Sequence, residues 1–81
     1  MNPTPPKDQI ELCYRQFGLR IEQLRNALGW TQAELAKKVD LERTSVTNIE
    51  IGRQRVNLHT VEKFSSAFGV SPKHLMKGIW L

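Results

Sequence analysis

In the run Arg43-Thr44-Ser45-Val46-Thr47-Asn48-Ile49-Glu50, the apolar Val46 and Ile49 stand three residues apart, the spacing of one helix face. With that face used for packing, Arg43, Thr44, Thr47 and Asn48 are left on the outward side. Their chemistry suits base edges. Arg can donate two hydrogen bonds to guanine O6 and N7, Asn can pair with adenine N6 and N7, and a Thr methyl can touch the thymine methyl. A merely solvated helix face would use the same residue types. Catalytic chemistry finds no comparable set. There is no nucleophile–base constellation, and His59 and His74 lie fifteen residues apart with no carboxylate or thiol pattern beside them. No metal or other cofactor is expected.

Those four side chains need a framework, and the chain reads as five helices. In the first, Ile10, Cys13, Phe17, Ile21, Leu24 and Leu28 recur at steps of three or four before Gly29, and Gly18 could break it in two. The second opens on Thr31-Gln32-Ala33-Glu34, a capping box. It continues with the stripe Leu35, Ala36 and Val39 and ends at Asp40, a residue that tolerates the left-handed conformation. The third spans about 43 to 50, with Gly52 as its stop. Asn57 caps a fourth carrying Leu58, Val61, Phe64 and Phe68, and Ser71-Pro72 opens a fifth carrying Leu75 and Met76. Trp30, Phe64 and Phe68 are expected in the core. No run alternates with period two, so the fold class is all-α. The expected organisation is an arm over 1–9, a domain over 10–78 and an apolar tail over 79–81.

The totals narrow the function. A chain of 81 residues is one domain that buries only about 60–65% of its unfolded surface, with little room for an enclosed active site. That weighs against an enzyme. The net charge of +4, from 12 basic and 8 acidic residues, is compatible with a polyanionic partner but is spread along the chain. Residues 31–57 contribute five basic and four acidic side chains. The single cysteine, Cys13, excludes an intrachain disulfide and suits a reducing compartment. With no membrane-length apolar run and no signal-peptide pattern, a cytoplasmic location is expected.

Residues 32 to 51 resemble the phage repressor and Cro-type (XRE-like) helix-turn-helix family. Gln32 opens one helix, small Ala36 lets two helices approach, Asp40 takes the turn, and Val46 and Ile49 anchor the next helix. The flanks LRNALGWTQAELA and LHTVEKFSSAFGVSPKHLM extend the resemblance from about Phe17 to Met76. It implies a compact five-helix, lambda-repressor-like domain that binds double-stranded DNA, with 43–50 as recognition helix. It further implies that Gln32 bonds a phosphate and steadies that helix, that Arg53 and Arg55 meet the DNA backbone, and that Arg25 and Glu50 form an internal ion pair. Two positions depart from the pattern. Asp40 stands where glycine is usual, and Glu42 stands where a Ser, Thr or Asp cap is usual. The Glu42 carboxylate could favour the helix dipole, accept from a cytosine amino group, or repel DNA.

One such motif reads few base pairs, and the usual solution is a homodimer on a palindrome. The tail Ile79-Trp80-Leu81 offers apolar side chains for that interface or for folding back onto the first helix. The expectation is a sequence-specific transcription regulator, a repressor in the first instance. Alternatives are an antitoxin-type protein that binds a toxin partner and a restriction–modification controller protein.

Overall fold

In the computed structural model, residues 7–79 are described, and among them are five α-helices and no strand. The first, α1 (Lys7–Ala27), is 21 residues long and runs unbroken through Gly18. Residues 7–9 of the expected arm therefore belong to a helix. Gly18 does not break the helix, and its role here is tertiary. A Cβ at this position would fall within 3.0 Å of the carbonyl oxygens of both Ile49 and Glu50. Glycine here permits the close approach of two helices rather than a change of chain direction.

Two short helices follow, α2 (Gln32–Lys38) and α3 (Arg43–Glu50), of seven and eight residues. Helices this short do not persist in water alone. They persist here because Leu35, Ala36 and Val39, together with Val46 and Ile49, join Phe17 and Ile21 of α1 in one buried cluster. Val61 and Phe64 of α4 (Leu58–Phe68) and Leu75 of α5 (Pro72–Leu75) complete it. Each Val- to Phe-sized side chain withdrawn from water contributes about 1.5–3 kcal/mol. Phe64 meets Phe17 edge-on at 6.1 Å between ring centroids, and Phe68 stacks between Phe64 and Trp30 at 6.2 and 5.8 Å. Phe64 is fully buried, whereas Trp30 and Phe68 are half-buried at the margin of the core.

The helix ends follow the capping residues. Thr31 and Glu34 form both halves of a capping box, Asn57 Oδ1 accepts from the Thr60 N–H, and Ser71 Oγ accepts from the His74 N–H. The single turn of α5 needs outside help. Arg20 of α1 donates to the carbonyl oxygens of Leu75 and Lys77 at 3.0 and 2.8 Å, groups that a helix end leaves unpartnered. Among the described residues, no helix is long and apolar enough to cross a membrane.

Candidate nucleic-acid interface

The turn between α2 and α3 is four residues long and tightly built. Val39 caps α2, and Asp40 adopts a left-handed φ of 54°. The Leu41 N–H then reaches back to the Ala36 carbonyl at 2.9 Å. Asp40 thus takes the conformation for which glycine is the usual choice, at the small penalty that a short polar side chain carries there. Glu42 is extended, with φ −71° and ψ 149°, and starts α3 without a side-chain hydrogen bond to the helix. Its carboxylate sits at the positive end of α3 without closing a cap.

Behind α3 lies a chain of hydrogen bonds that begins on α1. Arg25 Nε and Nη2 donate to the two oxygens of Glu50 at 2.7 and 3.0 Å, and Arg25 Nη1 donates to the Trp30 carbonyl at 2.8 Å. The Glu50 side chain is completely buried, so this bidentate pair is its compensation for lost water. Hydrogen bonding to Glu50 raises the Arg25 pKa above its ordinary value, against the opposing effect of burial. The guanidinium therefore stays charged, and any stability from this shift is present at every pH below the ordinary arginine range and lost only above it.

Gln32 extends the chain. Its Nε2 donates to Glu50 Oε1 at 2.9 Å, while its Oε1 accepts from the Thr47 hydroxyl at 2.7 Å. One amide thereby ties the start of α2 to the C-terminal half of α3. The carboxylate can only accept and the hydroxyl must donate, which fixes the orientation of the amide.

The residues expected to face outward separate into two groups. Arg43 and Thr44 are exposed on the first turn of α3, and Asn48 lies half-buried one turn further on. Thr47 departs from the expectation. Its hydroxyl turns toward Gln32, with the Arg43 carbonyl as a second acceptor at 3.1 Å, so the residue is half-buried against α2. Gln32 likewise is half-buried, and both of its side-chain hydrogen bonds go to residues of α3.

Arg53 and Arg55 are exposed on the segment leaving α3. Gly52 turns that segment at φ 78°, and the Arg53 N–H closes back on the Asn48 carbonyl at 2.9 Å. The Arg55 guanidinium lies 5.5 Å from the centre of the Tyr14 ring on α1. Tyr14 was not a candidate from sequence, because its partner is 41 positions away and no local pattern links them. Ile79 packs partly against the core and borders an apolar cavity of about 360 Å³ between α1 and the start of α4, while Trp80 and Leu81 lie outside the described residues. Among the described residues, no group of three or more His, Cys, Asp or Glu side chains could hold a metal ion.

Comparison with known proteins gives this geometry a family. The Helix-turn-helix family model matches residues 21–75, which contain α2, the turn, α3 and α4. The chain is 41% identical over 61 residues to control protein C.BamHI of Bacillus amyloliquefaciens, covering 74% of this chain and 75% of that one. It is 40% identical over 71 residues to a hypothetical transcription factor of Neisseria meningitidis, covering 88% of this chain and 65% of the relative. Among solved structures, the restriction–modification controller protein C.AhdI of Aeromonas hydrophila superposes with a TM-score of 0.74 at 34% identity. That match covers 76% of this chain and 94% of the controller. The family match spans the turn and the two short helices on which the exposed arginines depend, and the chain belongs to the helix-turn-helix family of DNA-binding transcription regulators.

Proposed function

We propose that this protein is a regulator of the restriction–modification controller type, which binds a two-fold symmetric operator as a homodimer. The observation that carries the reading is the division of labour on α3. Val46, Ile49 and Glu50 are buried and locked from behind, while Arg43 and Thr44 remain exposed on the first turn, the part of such a helix that meets base edges, with Asn48 half-buried one turn further on. Likeness to two proteins named as controllers supports the type.

In this reading Arg43 grips a guanine, Asn48 an adenine, and Thr44 touches a thymine methyl or accepts a hydrogen bond. Thr47 contributes by anchoring α3, with its methyl group left for contact. Gln32 keeps its second amide hydrogen for a phosphate, since only one is used by Glu50. Arg53 and Arg55 neutralise backbone charge and release counterions. The apolar cavity beside Ile79, with Leu58 78% exposed at its rim, supports self-association on the side of α1, α4 and the tail. Occupancy alone obstructs polymerase, so repression needs no further surface.

Sedimentation of the protein with a duplex retained from a random pool tests the assembly. Two chains per duplex are expected. One chain per duplex on a site without two-fold symmetry would contradict the homodimer.

A further inference from the structure

Arg53 and Arg55 do not stand alone. With Arg15 and Tyr14 of α1, and with Gly52, they line a single surface cavity of about 370 Å³. The packing that creates it is tight. A Cβ on Gly52 would lie 2.8 Å from Arg15 Cγ and 2.9 Å from Arg15 Cα, so the segment leaving α3 rests directly on α1. Among the described residues none of these three arginines has a carboxylate within 4.0 Å. The one acidic residue on the rim, Glu11, is itself paired with Lys7 at 4.0 Å. Three arginines without a carboxylate partner thus border one recess from two different segments, and the guanidinium of Arg55 is seated over an aromatic ring.

We propose that this recess takes one backbone phosphate of the DNA beside the base pairs read by α3, with Arg15 as a phosphate ligand and Tyr14 as the residue that positions Arg55. The proposal rests on the DNA-binding reading above. A helix of eight residues is about 12 Å long, comparable with the width of the major groove. When its first turn meets base edges, the chain leaving its last turn arrives near the groove wall, where the phosphates lie. Arg15 reaches that point because Gly52 holds the exit segment against it. Glu11 opposes the phosphate and limits affinity at this corner.

The test compares wild type with Arg15→Ala on a duplex selected from a random pool, on a random duplex, and on selected duplexes trimmed by successive nucleotides at each end. Arg15 is exposed, and an unchanged melting temperature of the variant shows that it is folded. Arg15→Ala is expected to weaken both duplexes alike and to lower the slope of log affinity against log salt by about 0.9, the loss of one phosphate contact. Trimming past one particular phosphate should bring wild type down to the level of the variant and leave the variant unaffected. Glu11→Gln should tighten binding to both duplexes by up to about fivefold. An unchanged slope in Arg15→Ala, or equal sensitivity of variant and wild type to trimming, overturns the phosphate site while wild-type binding stands. Wild-type protein that binds no duplex at all overturns the DNA-binding reading and this site with it.

Discussion

Arg25 of α1 and Glu50 of α3, twenty-five positions apart, are joined by two hydrogen bonds of 2.7 and 3.0 Å, and the carboxylate they serve is wholly buried. This pair fixes the C-terminal end of α3 against α1, at the point where Gly18 lets the two backbones meet. Removing one partner strands the other charge. Arg25→Met should therefore destabilise the domain by about 3–5 kcal/mol in urea unfolding. The double variant Arg25→Met with Glu50→Leu should recover part of that loss, because no charge is then left buried. A double variant less stable than either single one would contradict the role of the pair.

Gln32 carries the constraint from Glu50 to Thr47. Gln32→Ala removes two hydrogen bonds and should lower stability by about 1–2 kcal/mol. Its effect on binding should be larger for a preferred duplex than for a random one, because α3 loses its register against α2. Parallel denaturation and duplex titration separate the two effects. Equal weakening on both duplexes would mean that Gln32 acts through a phosphate alone.

Gly18 gives a prediction of unusual sign. Replacing a mid-helix glycine by alanine ordinarily stabilises by roughly 0.5–1 kcal/mol. Here the new methyl group would meet the carbonyl oxygens of Ile49 and Glu50. Gly18→Ala should instead destabilise by about 1–3 kcal/mol, the usual effect of overpacking. A higher melting temperature in this variant would show that the contact between α1 and α3 is looser than the structure has it.

Arg43 and Arg53 should fail in different ways. Arg43→Ala should weaken a preferred site by about 1–3 kcal/mol while barely affecting random DNA. Arg53→Ala should weaken both alike and reduce the salt slope by about 1. Titrations at several salt concentrations distinguish them. A uniform loss in Arg43→Ala would remove it from the base-reading set.

The contrast between these variants also marks what a sequence discloses. The helix starts were legible because the signal is local. Thr31 with Glu34, Asn57, and Ser71 before Pro72 each act within one turn, and each cap is present. Asp40 was legible for the same reason, as a residue suited to a positive φ. Gly18 was not. Its role comes from a helix 31 positions later, and locally a glycine in a helical run reads as a weak point. The outward set on α3 followed from periodicity, which places a side chain on a face but cannot say where its hydroxyl turns. Thr47 therefore proved to be engaged with Gln32. Arg20 on the carbonyls of α5, and Tyr14 beneath Arg55, depend on how helices pack, and no spacing rule announces them. The resemblance supplied Arg25 with Glu50, which periodicity alone would have left as an unexplained buried charge.

Selection from a random duplex pool at about 150 mM salt, followed by sequencing of the retained DNA, tests most directly whether α3 reads bases from its locked position. The expected result is a two-fold symmetric motif whose half-site centres lie about one helical turn apart, some 34 Å. Retained DNA with no motif would contradict it, since positive charge would then hold the duplex while Arg43, Thr44 and Asn48 read nothing.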